Sequence, residues 1–317
     1  MFKEILLLVL GLFLLVEGAD FFVKGASGIA TKLKIPRLVI GLTIVAIGTS
    51  LPELSVNLVS SIQGKNELAL GNIIGSNTFD ILFVLGFSTF FGTILLDKET
   101  LYFDLPILCG IYAIMGLFMF VISPNVISLF EGIVLLILCL AYLVFLIYRS
   151  KKKKDTEQEE TSHKIIVYIL YLIFGGAAVV FGGTFVCNSS SQIAISLGMS
   201  EMVVGLTILA IGTSLPELVT SVVAIKKGEK EIAVGNAVGS CIFNVLLIIG
   251  LSATINPISF SNSSWFDYLI MCTSIVLLIV FALCSKKKLN WPSGMVMLLV
   301  YITYTVLLVL NNYYAFI

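Results

Sequence analysis

Ten stretches of the chain stay apolar for roughly the 20 residues that an α-helix needs to cross a bilayer. They run over residues 5 to 23, 38 to 62, 69 to 92, 101 to 121, 126 to 148, 164 to 187, 202 to 225, 233 to 254, 265 to 284 and 291 to 312. The pattern predicts an all-α integral membrane protein of ten transmembrane helices. Polar letters interrupt it in a repeated way. AIGTSLPEL stands at 46 to 54 and again at 210 to 218, each time inside an apolar run that should form a helix.

The repetition extends well beyond nine letters. A shift of 164 residues aligns 41 to 86 with 205 to 250 without a gap, and 24 of the 46 positions are identical. Biased membrane composition supplies only a handful of such matches, so the chain holds two copies of one unit. Residues 1 to 150 form the first five-helix repeat, 151 to 163 a linker, and 164 to 317 the second repeat. Five is odd, so the second copy enters the membrane from the opposite side. That predicts two inverted-topology repeats of the kind secondary transporters use. The N-terminal run has the look of a signal peptide, with Lys3 ahead of an apolar core. It lacks a small-residue cleavage site, however, and its Gly11 and Gly18 reappear in register as Gly175 and Gly182. It is read as the first helix.

Composition agrees with the pattern: 58% of 317 residues are hydrophobic, 12% are charged, and mean hydropathy is +1.08, outside the soluble range. Charge adds orientation. With the N-terminus outside, 17 of the 19 lysines and arginines fall in inner loops, leaving only Lys3 and Lys65 on the outer side. This is the positive-inside bias, and it puts both termini outside the cell membrane. The segment RSKKKKDTEQEETSHK is then the main cytoplasmic loop. Its lysines are followed at once by acids, so it reads as a solvated linker rather than a basic nucleic-acid or lipid patch. The six cysteines show no CxxC spacing and read as small packing residues.

Chemistry concentrates in the two motifs. Proline has no N–H and crowds the carbonyl four residues back, so Pro52 frees the carbonyl of Gly48 and Pro216 that of Gly212. The second and seventh helices should break there. Free carbonyls at membrane depth are tolerated where they line a cavity or are buried in protein, and they are hard ligands for sodium and calcium. Glu53 and Glu217 follow Thr-Ser pairs, and a carboxylate at the bilayer centre costs at least about 2.5 kcal/mol. No Lys, Arg or His lies in these segments to neutralise them, so the missing positive charge is read as a bound cation. Carboxylates, carbonyls and the hydroxyls of Thr49, Ser50, Ser76, Thr213, Ser214 and Ser240 supply the oxygens that calcium takes. Zinc or copper would need more than the single Cys241.

The two GTSLPE motifs, each followed by a GN…GSxxx(D/N) segment in an opposed duplication, resemble the calcium/cation antiporter superfamily, most closely its prokaryotic sodium/calcium exchangers. The resemblance spans nearly the whole chain. It implies a rigid core of the second, third, seventh and eighth helices, with the first and sixth sliding across it. It also implies that Glu53 and Glu217 bind both calcium and sodium, joined for calcium by the Thr49 and Thr213 carbonyls. Sodium would use the Ala46 carbonyl, Ser50 and Ser76 on one side, and the Ala210 carbonyl, Ser214 and Ser240 on the other. Gly71, Asn72, Gly75, Gly235, Asn236 and Gly239 would serve close packing. One departure stands out. The family pattern has asparagine first and aspartate second after the GS motifs, whereas Asp80 comes first here and Asn244 second. In helix one, Glu17 and Asp20 either line an access path or snorkel at the inner interface.

The function expected is therefore antiport of Na+ and Ca2+ across the plasma membrane, with Ca2+/H+ or K+-linked exchange as the alternative and a cation channel as a rival of another class. The transported ions and the lipid bilayer are the expected partners, no prosthetic group is implied, and nothing resembles a catalytic nucleophile, a nucleotide-binding loop or a redox centre.

Overall fold

The computed structural model describes residues 2–32, 48, 50–96, 98, 100–150, 164–226 and 230–314. Helix α1 spans Phe2–Lys32, α2 Leu51–Ile62, α3 Asn66–Ser88, α4 Thr100–Ile122, α5 Leu129–Ser150 and α6 Ile165–Leu197. Next come α7a, Glu201–Thr213, and α7b, Leu215–Lys226. Helix α8 starts as Lys230–Phe243 and continues to Ile255, α9 is Ser264–Cys284 and α10 is Trp291–Tyr314. Among the described residues eight helices are long and apolar enough to cross a membrane, and nine if the bent pair α7a–α7b counts as one span. Of the span expected at 38 to 62, positions 38 to 47 and 49 lie outside the described residues. The 151–163 linker lies outside them as well.

Two helices exceed their expected lengths. The apolar runs end near 23 and 187, yet α1 continues to Lys32 and α6 to Leu197. At 1.5 Å per residue they reach about 46 and 50 Å, well beyond the roughly 30 Å hydrocarbon layer. No proline stops either extension, and neither extension is bare: Gly25 abuts Tyr168 and Leu172 of α6, and Ser189, Ser190 and Ser191 are buried. Trp265 and Trp291, both largely exposed, stand in the first turns of α9 and α10, where amphipathic rings suit a headgroup layer.

Helices α1 and α6 lie against each other and run antiparallel. Gly11 meets Gly182, Gly18 meets Gly175 and Gly25 meets Tyr168, so one number falls as the other rises. Small residues allow this approach, as they commonly do between membrane helices. A β-carbon on Gly175 would stand 2.5 Å from the Phe22 nitrogen and 2.7 Å from the Gly18 carbonyl oxygen. Both are backbone atoms, so neither gives way cheaply. Gly175→Val is expected to destabilise the protein by about 1–3 kcal/mol, read as a lower thermal unfolding midpoint in detergent. An unchanged midpoint would mean that the two helices are not in close contact.

The pair α1/α6 packs on the rest through its own small apolar cluster, including Leu15, Leu51, Val56, Val186 and Leu209. A separate and larger cluster joins α3, α4, α5 and α7a to α10. At its centre is α3, with 94% of its spanning window buried, against 24% for α1. Short antiparallel ribbons link the halves at the helix ends: β1 (Ile94–Leu95) pairs with β4 (Lys288–Leu289), and β2 (Val126–Ile127) with β3 (Ile258–Ser259). The strand β2 takes the first residues of the run expected to form a helix from 126, so α5 begins at Leu129. Ser128 and Glu131 close its first turn, the Glu131 carboxylate accepting from the Ser128 N–H at 2.6 Å, in the manner of a capping box.

Candidate cation site

The prolines start helices here rather than interrupting them. Pro52 and Pro216 are each the second residue of a helix, α2 and α7b, where a missing N–H costs nothing. The irregular residue lies two positions earlier. Ser50 has φ −89° and ψ 11°, Ser214 has φ −87° and ψ 12°, both in the sparsely populated bridge region. At Ser214 the chain bends by 41°. Because α2 and α7b start here, Glu53 and Glu217 fall in their first turns, where unpaired backbone N–H groups and the helix dipole favour negative charge.

Both glutamates are sealed from solvent, Glu53 at 1% exposure and Glu217 at 0%. Each has one oxygen held and one open. Glu53 Oε1 accepts from the Ser214 hydroxyl at 3.0 Å, across the two halves, and Glu217 Oε1 accepts from Ser240 at 3.2 Å, within its own half. The Oε2 atoms of both have no hydrogen-bond partner among the described residues. Among the described residues the two copies therefore share a sequence but not a bonding pattern: the Ser50 hydroxyl, equivalent to Ser214, has no partner there, and Ser76, equivalent to Ser240, contacts Thr213 Oγ1 at 3.5 Å.

Of the other expected ligands, Ala46 and Thr49 lie outside the described residues. Thr213 is fully buried at the end of α7a. Its hydroxyl donates to Leu209 O at 2.9 Å and lies 3.3 Å from Asn72 Oδ1. The Ala210 carbonyl accepts from the Ser214 N–H at 3.1 Å, which leaves one lone pair for a further partner. Among the described residues no three Asp, Glu, His or Cys side chains converge on a point that could hold a metal ion. Any cation held here must complete its shell with hydroxyl and carbonyl oxygens.

Asp80 and Asn244 open equivalent π-helical turns, Asp80–Val84 and Asn244–Ile249. Such turns are frequent at functional sites. Asp80 is buried with neither carboxylate oxygen bonded among the described residues, while Asn244 Nδ2 donates to Asn77 Oδ1 at 2.9 Å. Asn77 in turn reaches across to Cys241 O at 3.4 Å. Asn77 and a second asparagine, Asn57, did not stand out in the sequence. Asn57 accepts from Asn72 Nδ2 at 2.7 Å and donates to Ala69 O at 2.9 Å, so it ties α2 to α3 behind the glutamate. The available signal was a polar residue one turn after Glu53 in an apolar helix.

The packing role expected of the glycines holds on one side. β-carbons on Gly71 and Gly75 would meet Met202 O at 2.6 Å and Leu206 O at 2.7 Å of α7a. The equivalent partners of Gly235 and Gly239 lie in the undescribed part of the second span. Asp20 forms an exposed i,i+4 ion pair with Lys24, and Glu17 is exposed, which favours the snorkelling reading over an access path.

Two buried glutamates thus stand in the first turns of paired helix starts, and a family model described as "Sodium/calcium exchanger protein" matches residues 3–148 and 167–310. The chain belongs to the sodium/calcium exchanger family. Relatives cover almost all of it. The sodium/calcium exchanger MaX1 of Methanosarcina acetivorans is 31% identical over 96% of this chain and 97% of its own. The inner membrane protein YrbG of Escherichia coli K12 is 32% identical over 90% of both. Among solved structures, the sodium-calcium exchanger NCX_Mj soaked with Na+ and Sr2+ superposes with a TM-score of 0.67 at 30% identity, covering 95% of this chain and 96% of that one. This exchanger therefore shares the NCX_Mj fold.

Proposed function

We propose that this exchanger is a secondary active antiporter that carries Na+ against Ca2+ across the plasma membrane by alternating access, extruding calcium where the sodium gradient points inward. The observation that carries the reading is the pair Glu53 and Glu217: both sealed from solvent, each with one unpartnered oxygen, and without a cationic side chain in hydrogen-bond or ion-pair contact among the described residues. An unpaired buried carboxylate costs several kcal/mol, so an empty core does not close cheaply, whereas a core holding one calcium or several sodium ions approaches neutrality. Only loaded states switch, which couples the two ions. The candidate ligands are Glu53, Glu217, Ser50, Ser76, Ser214, Ser240 and Thr213, with Thr49, Ala46 and Ala210 contributing carbonyls, and Asp80 and Asn244 at the centre.

The architecture proposed is ten helices in two inverted five-helix repeats, with both termini outside. It draws support from the antiparallel α1/α6 pair, since equivalent helices that run in opposite directions belong to oppositely inserted units. The bend at Ser214 supports a broken seventh helix, and the similar backbone at Ser50 supports the same in the second. The separate apolar cluster under α1 and α6 suits a pair that slides as a body over α2 and α7a.

Calcium uptake into vesicles reconstituted with the protein tests the function, with sodium, potassium and pH gradients imposed one at a time. An outward sodium gradient is expected to drive uptake, and potassium or pH gradients alone are not. Uptake driven by protons and indifferent to sodium would replace the reading with Ca2+/H+ exchange. Potassium-dependent uptake would make it K+-linked, and single-channel conductance would make the protein a channel.

A further inference from the structure

A second acidic position lies well away from the motifs. At the end of the molecule where α3, α7a and α9 begin and α10 finishes, the structure contains a cavity of about 340 Å³. Asp267, in the first turn of α9, forms part of its wall and is only 6% exposed. One of its oxygens accepts from the Tyr304 hydroxyl at 2.8 Å. The other has no protein partner among the described residues. Among the described residues no lysine or arginine lines the cavity, and the remaining acid, Glu67, stands half-buried in its wall. A carboxylate this deep needs a counter-charge, and the α9 N-terminus favours its ionised form only in part.

The walls indicate the kind of counter-charge. Met202, Leu206, Leu307 and Leu308 form an apolar side, and Trp265 presents an indole. A water takes up about 30 Å³, so the space holds the volume of roughly ten waters, more than a bare ion fills, and its apolar side offers a metal no ligands. Those same features suit an organic cation with a hydrocarbon part, its charge held on the polar wall and its chain on the apolar one. Side-chain oxygens of Asp267, Glu67 and Ser263 line the cavity, and such acceptors suit the N–H donors of a primary ammonium. A quaternary ammonium has no donors to offer them.

We propose that this cavity binds a primary ammonium group carried on an apolar chain, with the Asp267 carboxylate as its counter-ion and the Met202–Leu307 side holding the chain. The same chemistry is offered by an aminophospholipid headgroup and by a soluble alkylammonium. Leu307 and Trp265 are 42% and 48% exposed on the outer surface, which leaves the cavity wall accessible from the surrounding lipid.

Two arms on the purified full chain test the site. In the first, native mass spectrometry reads which lipid stays bound after exchange into equal amounts of phosphatidylethanolamine and phosphatidylcholine with the same acyl chains. In the second, butylammonium is added in lipid-free detergent and the thermal unfolding midpoint is followed. Preference for the ethanolamine lipid by about tenfold, the scale of one charge-assisted hydrogen bond, assigns the site to a headgroup. A raised midpoint with butylammonium and no lipid preference assigns it to a soluble amine. Either effect should vanish in Asp267→Asn, which keeps the Tyr304 contact, and in Leu307→Trp, which fills the cavity and leaves the acid in place. If Asp267→Asn does not fold, Leu307→Trp decides. Equal lipid retention with no butylammonium shift overturns the proposal, as does a wild-type response in folded Asp267→Asn or Leu307→Trp.

Discussion

Glu53→Gln is expected to lower calcium affinity at least about 30-fold, since removing one partner of a buried charge pair costs about 2 kcal/mol or more. The same substitution should make the ion-free protein more stable. Glutamine keeps the volume and can still accept from the Ser214 hydroxyl, which reaches Glu53 Oε1 at 3.0 Å, but it carries no buried charge awaiting a cation. The two effects together form a signature that a merely structural glutamate would not give. Calcium stabilises the folded state by RT ln(1 + [Ca2+]/Kd), so the rise in unfolding midpoint on adding calcium should be large in the wild type and nearly absent in Glu53→Gln. Glu217→Gln should behave alike, because Glu217 is equally buried with an equally open oxygen. A mutant that keeps the full calcium-induced shift and transports at the normal rate would remove Glu53 from the site.

Asp80→Asn should spare calcium and harm sodium. One calcium is neutralised by two carboxylates, and three sodium ions by three. Asp80, buried with both oxygens unbonded among the described residues, is the third acid, and on the proposed charge balance it is protonated when calcium is loaded and ionised when sodium is. Acid should therefore favour the calcium-loaded form over the sodium-loaded one in the wild type, and that dependence should flatten in Asp80→Asn. Calcium affinity should stay within about tenfold, the effect of a change near 1.4 kcal/mol. Adding Asn244→Asp should restore part of the sodium response, because the charge moves to the equivalent π-turn. Recovery is expected to be incomplete for a local reason. Asn244 now donates to Asn77 Oδ1 at 2.9 Å, and an aspartate there would face an oxygen until Asn77 turned its amide over, at the expense of its contact with Cys241 O. Sodium/calcium exchange across a pH series in the single and double mutants makes the comparison. Abolished calcium binding in Asp80→Asn without rescue by the second change would make Asp80 a direct calcium ligand.

Much of this protein is legible in its sequence because the signals are local or repeated. A bilayer demands about 20 apolar residues per crossing, so helices α3, α5, α9 and α10 begin or end within a few residues of their hydropathy. The 164-residue repeat needs no coordinates to be seen, and neither do Glu53 and Glu217, since a carboxylate in an apolar run is costly wherever the chain folds. Proline chemistry pointed to a break in each motif; in the second the chain bends at Ser214, two residues before Pro216, because a proline fits the first turn of a helix and the serine ahead of that turn absorbs the irregular backbone.

Contacts between distant segments were settled only by the packed structure. Nothing local says that Ser214 crosses to Glu53 while Ser240 stays with Glu217, or that Asn77 joins Asn244 over 167 positions. Helices surrounded by lipid and by each other lack the one-sided apolar stripe that tells a soluble helix which face turns inward, so rotation about each axis is decided by packing. The extra turns of α1 and α6 have the same origin: their polar ends remain helical where glycines and serines meet a neighbouring helix. So has the pairing of Asp267 with Tyr304, 37 residues apart. Composition and spacing determined which groups this exchanger places in the membrane; close packing of two unlike halves decided which of those groups touch.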